Sequence, residues 1–496
     1  MLRPCLVFFL SILTFALPLR AAKYFAFTPI ARQAYDHATS LRFGEAYAAM
    51  AQMKLEDPNN LIVLHIENYI DFFTLYIEED EATYRQLKKN RDQRLDKVKA
   101  GDRSSPYYLF VQADIRLQWA LARLRFEDYL GAFTEVSKAY RLLKENEELF
   151  PGFMPNKKDL GILHAIAGTI PDNYKWAVEW ISSLEGTLVG GQAELEAVLA
   201  YAKNHPFIFK KETQVLYAYL LLHLGQQPDR AWQIIQQSDL DPSYSPMDCF
   251  VLANIAQQTG RNDAAIKILL QQPTSSLFHR FDYLNFMLGV SKLRRLDKDA
   301  DLYFKKFLNQ FKGQNFIKEA HQRLAWHYLI HQNEPGYWAE MTLCKTEGHT
   351  LVGSDQSALQ EAERGKLPNV HLLKARNLFD GGYYQRAAQV LNQLSPAQFI
   401  DLHDQIEFTY RKGRILHALQ SYDEALRLYQ QTIDTGRDQP WYYACRAALE
   451  SGHIYELRHQ PELAQTYFKE CLSIKPEAHG TGLHQMAKAG LKRCAD

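Results

Sequence analysis

One register of small and apolar residues repeats through the last third of this 496-residue chain. Gly413, Ala425, Tyr429 and Ile433 recur as Gly452, Ala464, Phe468 and Leu472, and Ala375, Ala387 and Leu391 stand in the same spacing before them. In each copy a small residue is followed twelve positions later by Ala, and four positions after that by a large apolar residue. Small residues let two helix backbones approach closely, and residues four apart share one helix face. The register therefore predicts short helices packed face to face in pairs. A pair repeated at an interval of 38 or 39 residues buries its apolar face against the next pair, so the units stack into a solenoid. The same spacing appears at Ala34, Phe43, Ala46, Met50 and Pro58, at Tyr219, Ala231 and Ile235, and at Ala253, Ala265 and Leu269; Gly289 and Ala300 are a poor further match. No run of alternating apolar and polar residues bounded by turn pairs competes with it. The expected fold class is all-α, an α-solenoid of helix pairs.

Four segments are expected: a signal peptide at 1–22, an N-terminal helical region with one helix pair at 23–150, a degenerate middle region at 151–350, and C-terminal repeats with a capping helix at 351–496. The stretches 61–98 and 106–146 read as helices longer than a standard repeat. The stretch 348–369 reads as a loop or a loose helix. Gly190 and Gly191, in GTLVGGQAELEAVL, read as a helix stop and restart; that segment lacks the Lys-Ser/Thr of a phosphate loop.

The first residues look like a targeting segment. Arg3 precedes the mostly apolar CLVFFLSILTFALPL, and Ala21-Ala22 supply small residues at the exit. The run is short for a spanning helix, which needs about 20 apolar residues. The expectation is export, to a periplasm or cell envelope or beyond it. Five cysteines follow (Cys249, Cys344, Cys445, Cys471 and Cys494), odd in number and without a C-x-x-C pair, so spacing indicates no disulfide framework.

Lys plus Arg and Asp plus Glu both number 57, which removes the basic excess that a nucleic-acid binder usually shows. Seventeen histidines include His327 and His331, four apart, but no H-E-x-x-H and no Cys/His cluster. No G-x-S-x-G nucleophile elbow is present. No enzyme, cofactor or metal site is read from the sequence.

The repeats ARNLFDGGYYQRAAQVL, GRILHALQSYDEALRLY and GHIYELRHQPELAQTYF resemble the tetratricopeptide repeat family, a helix pair of about 34 residues with small residues at set points and a closing Pro. Tyr384 and Tyr422 stand three residues before the key Ala, and Pro476 stands where the closing Pro belongs. The order of degenerate and cleaner repeats is similar to that of the tetratricopeptide repeat protein 39 group. The resemblance implies a non-catalytic scaffold whose concave groove, lined by the first helix of each pair, binds a protein or peptide partner. In that family the residue after the small one commonly faces the groove. Here that gives Arg376, Arg414 and His453, with His417 and Glu456 one turn beyond on the same sides. Arg pairs suit a carboxylate or another anion. The Lys and Asn set of the family's carboxylate-clamp repeats is not reproduced. The second expectation is a soluble-ligand, glycan-binding protein of the envelope, similar to exported starch-binding tetratricopeptide proteins; those carry a lipid-anchor Cys after the signal, where this chain has Lys23 and Tyr24.

Overall fold

The computed structural model describes residues 22–167 and 184–494. The segment expected to be a signal peptide lies outside the described residues, except for Ala22. Among the described residues there is no β-strand; Tyr24 and Asn60 form an isolated bridge. The helices alternate in pairs from the start. The first are α1 (Pro29–Thr39) with α2 (Phe43–Glu56), α3 (Ile62–Glu78) with α4 (Glu81–Val98), and α5 (Tyr107–Arg125) with α6 (Tyr129–Leu149), followed by α7 (Met154–Ala167). The middle holds α8 (Leu188–Asn204), α9 (Lys210–His223) with α10 (Pro228–Gln236), α11 (Pro246–Gln258) with α12 (Asn262–Leu269), and α13 (Tyr283–Arg295) with α14 (Ala300–Gln310). Then come α15 (Ile317–Ile330) with α16 (Glu334–Thr346), a single α17 (Gly353–Arg364), α18 (Val370–Asp380) with α19 (Tyr384–Asn392), α20 (Leu402–Ala418) with α21 (Tyr422–Gly436), α22 (Tyr443–Leu457) with α23 (Pro461–Ser473), and α24 (Gly480–Arg493).

The turn inside each pair has one signature. Leu41, Glu79, Glu127, Gln226, Leu296, Gln332, Gln420 and His459 all adopt positive φ there, as do Gly260 and Gly382. A left-handed residue turns the chain back so that the second helix lies antiparallel on the first. This corrects two expectations. The stretch 61–98 is not continuous helix but α3 and α4, hinged at Glu79 (φ 52°), and 106–146 divides into α5 and α6 at Glu127 (φ 56°). Asp80 and Asp128 cap the second helix in each case, accepting from Thr83 N at 2.7 Å and Gly131 N at 3.0 Å. Gly190 and Gly191 likewise do not break a helix. They lie in the first turn of α8, and a side chain on Gly191 would collide with the Gly161 carbonyl of α7. Close approach of α7 and α8 requires that glycine. The polar stretch 348–369 contains the helix α17, whose Asp355 accepts from Phe316 N at 2.6 Å and Glu319 N at 2.8 Å and so caps α15 from outside.

The register of small residues does what its spacing implies. Ala375, Ala387, Leu391, Ala425, Tyr429, Ala464 and Phe468 are fully buried. A Cβ on Gly452 would stand 2.5 Å from Cε1 of Phe468, and one on Gly289 2.9 Å from Phe304, so the loose match at Gly289 is a true pair contact. The core is a succession of local clusters along the chain rather than one centre, as a solenoid requires. The ends of the first two pairs also touch the middle region. Leu41 O accepts from His279 N at 2.7 Å, and Glu79 accepts from Asn315 at 2.7 Å. The Arg42 guanidinium lies 4.6 Å over the Tyr244 ring. No described helix is long and apolar enough to cross a membrane.

An arginine-lined cleft as candidate functional site

The first helices of three successive C-terminal pairs wall a cleft of about 600 Å³, and α24 closes its end. Helix α18 contributes Ala375, Arg376, Phe379 and Asp380, and α20 contributes Tyr410, Arg411 and Arg414. Tyr442 and Arg446 come from the start of α22, with His479, Gly482, Leu483 and Met486 at the cap. Ala375 is fully buried in one cluster with Ala387 and Leu391 of α19, and Arg376 beside it lines the cleft.

Four guanidinium groups converge here. Arg411 donates through Nε to Glu407 at 2.6 Å, and Arg446 through Nε to Glu450 at 2.7 Å. Arg414 donates to Tyr410 OH at 3.0 Å, approaches Glu450 at 3.5 Å and lies 4.9 Å over the Phe379 ring. Arg376 lies 4.6 Å over the ring of Trp326 and has neither a hydrogen bond nor an ion pair among the described residues. Two carboxylates, Glu407 and Glu450, thus serve three arginines; Asp380, on the wall, forms no ion pair among the described residues and acts on Arg376 and Arg411 from farther away. The local balance is positive.

Burial by itself would raise the Glu450 carboxyl, but Arg414, Arg446 and His453 hold it well below the usual carboxylate range. Burial also penalises the Arg414 cation, yet Glu450 and Tyr410 hold it well above its ordinary value. His479 is pushed down by burial and by Arg376, Arg364 and Arg446, which favours its neutral form at the mouth. The cleft thus keeps its carboxylates and guanidiniums charged in a low-dielectric recess, where a charged hydrogen bond is stronger than in water.

Of the residues read from the sequence, the structure brings Arg376 and Arg414 to this wall. His417 and His453 sit behind it: their Nδ1 atoms lie 3.6 Å and 3.8 Å from Glu450, and His417 lies 3.2 Å from Tyr429 OH. Glu456 is elsewhere; it receives Arg493 of α24 through two hydrogen bonds, at 2.6 Å and 2.8 Å. Arg411, Arg446, Glu407 and Glu450 were not read from the sequence. Their signal is an i,i+4 pair whose sign reverses from one repeat to the next, Glu407–Arg411 and then Arg446–Glu450.

A second cleft, of about 470 Å³, lies where the N-terminal pairs meet the middle ones. It too is walled by first helices, α3, α5, α9, α11 and α13. Tyr76, Tyr219, Phe250, Phe281, Tyr283 and Phe316 give it aromatic walls, and Asn254 and Gln258 add amides. Its charges cancel, since Arg125 pairs with Glu79 at 2.9 Å.

Residues 446–477 match the tetratricopeptide repeat family. Among solved structures, the chain is similar to the Cut9–Hcn1 hetero-tetramer of the APC/C, with 11% identity, 94% of this chain and 96% of that chain covered, and a TM-score of 0.26. It is also similar to yeast Tom70, with 13% identity, 94% and 90% covered, and a TM-score of 0.30. Superpositions that loose transfer no residue. A search of curated proteins finds no match. Residues 446–477 thus match one tetratricopeptide repeat, and the described residues fold as an α-solenoid of stacked helix pairs.

Proposed function

We propose that this helical-repeat scaffold is exported and non-catalytic, and that it holds a protein or peptide partner by taking an acidic group of the partner into the arginine-lined cleft. One observation carries the reading: Arg376 presents a guanidinium that makes no hydrogen bond or ion pair among the described residues, beside three more arginines. An incoming carboxylate would meet donors already fixed by Glu407, Glu450 and Tyr410, so little ordering cost remains at binding. Export rests on the apolar start of the chain and Ala21-Ala22. Fluorescein-labelled hexaglutamate and hexaglutamine, titrated into the full chain at low and high salt, test the cleft. Tighter binding of hexaglutamate that weakens with salt is expected; equal binding of the two contradicts the reading. N-terminal sequencing of chain from the envelope fraction tests export: a start near Lys23 supports it, and intact Met1 in a cytoplasmic pool opposes it.

The aromatic cleft favours a second reading, a soluble-ligand protein of the envelope that binds a neutral glycan. Rings offer flat apolar faces to sugar C–H groups, and amides match hydroxyls as both donor and acceptor. A glycan array without a hit removes this reading.

A further inference from the structure

Cys445, in α22, and Cys471, in α23, face each other across the last helix pair with their Sγ atoms 3.5 Å apart. Both side chains are fully buried. None of the other cysteines among the described residues has a sulfur beside it: the Cys249 and Cys344 thiols point to the carbonyls of Ile268 and Lys318, and Cys494 lies at the end of α24. We propose that Cys445 and Cys471 form a disulfide that staples α22 to α23 when the chain folds in an oxidising compartment.

The geometry asks for little. A disulfide needs an S–S distance of about 2.05 Å, so the two sulfurs have about 1.5 Å left to close. The two helices already lie together at Gly452 and Phe468, which fixes their separation. The bridge would close the loop from 445 to 471, and closing such a loop restricts the unfolded chain. It would also lock α22, which carries Arg446 and Glu450 of the cleft, to the helix behind it.

The chemistry balances with an external disulfide of the glutathione class, or a protein thiol oxidant, as electron acceptor. The Cys445 thiolate attacks one sulfur of that disulfide, the external S–S bond breaks and the first thiolate leaves. The Cys471 thiolate then attacks the Cys445 sulfur, the mixed disulfide breaks and the second thiolate leaves. The two protons of the chain's thiols end on the released thiols, and two electrons pass from the cysteines to the oxidant. The hydrogen bond with Cys471 holds the Cys445 thiol below its usual value, which suits it to the first attack. Helix α24 covers the pair, with the Leu483 carbonyl 3.9 Å from the Cys471 sulfur, so the exchange belongs to a stage of folding before α24 docks.

Bridge formation in the cell rests on the proposed export, because reducing compartments keep such thiols free. The test therefore uses purified full chain, reduced, unfolded in urea and refolded in reduced and oxidised glutathione. Blocking with iodoacetamide and peptide mapping then read every thiol. The expected result is a linked 445–471 peptide pair, an intact mass before alkylation two hydrogens lighter than the reduced chain, alkylated Cys5, Cys249, Cys344 and Cys494, and a higher Tm than the reduced form. The variant Cys445→Ser/Cys471→Ser should keep the helical circular dichroism spectrum and lose the redox dependence of Tm. Refolded wild type with both cysteines alkylated, or with either joined to a different cysteine, overturns the proposal. This arm does not depend on where the chain resides, which N-terminal sequencing reads separately.

Discussion

Arg376 holds its guanidinium 4.6 Å over the indole of Trp326, and the Arg323 guanidinium, at 4.3 Å, packs on the same indole. Arg323 has Glu319 at 2.7 Å, whereas among the described residues no carboxylate forms an ion pair with Arg376, and Asp380 and Glu361 act on it only from farther away. The two arginines divide the roles on that ring: one is committed to the fold and the other keeps its donors free. In the absence of ligand, Arg376→Ala should cost about 0.5–2 kcal/mol, the worth of a partly desolvated cation–π contact. Glu450→Ala should cost about 3–5 kcal/mol, because it strands Arg414 and Arg446 in a buried site. Urea unfolding of the two variants checks the contrast; equal losses would contradict it.

Gly452→Ala should destabilise the last pair by about 1–3 kcal/mol, since the new methyl overlaps the Phe468 ring. The control is Gly44→Ala in α2, where nothing lies within 4 Å of the new Cβ and the helix gains up to about 1 kcal/mol. Two denaturation curves with shifts of opposite sign are the expected outcome.

Lys158 is buried with its ammonium between Asp159 at 2.7 Å, Glu212 at 2.5 Å and Asp114 at 3.4 Å. Those three carboxylates lie close enough together to hold a cation, and the lysine occupies that place. Lys158→Met removes the compensating charge and should cost about 3–5 kcal/mol, with Asp159, already raised by burial, taking up a proton first. Chemical denaturation at neutral pH reads the loss. A variant as stable as wild type would show that the ammonium is not what balances these acids.

His327 is pushed down to about 4, first by burial and then by His331 and Lys305, against the opposing pull of Asp301 and Asp299. A group whose folded value lies below its unfolded one contributes its stability above the unfolded value, near 6.5, and loses it as pH falls toward the folded one. Wild type should therefore lose stability between pH 6.5 and 4 faster than His327→Gln, by up to about 3 kcal/mol at the low end. Parallel stability–pH curves for the two proteins would refute the assignment.

The helix pairs were legible because the contact that makes them is encoded by small residues at fixed spacing; Gly413 against Tyr429 and Gly452 against Phe468 need no wider context. The turns were not legible. Eight of the left-handed turn residues are ordinary side chains such as Glu79 and Leu41, so no Gly or Asn marks the break, and two helix pairs looked like long helices. The glycines at 190 and 191 misled for the converse reason, since packing against α7, rather than a stop, places them. At the cleft, Arg376 and Arg414 followed from the family resemblance, which puts the residue after the small one on the groove, but Arg411 and Arg446 sit at positions whose charge reverses between repeats. Only the stacking of α18, α20 and α22 shows that they share one space.

The most direct test of the cleft is affinity for fluorescein-hexaglutamate in wild type, Arg376→Ala and Arg376→Ala/Arg414→Ala, measured by anisotropy on variants whose circular dichroism matches wild type. Losing a charge-assisted contact is worth about 1.5–3 kcal/mol, so Arg376→Ala should weaken binding by roughly 10- to 100-fold and the double variant further. Unchanged affinity in the folded double variant would contradict the account and move the binding surface away from these helices.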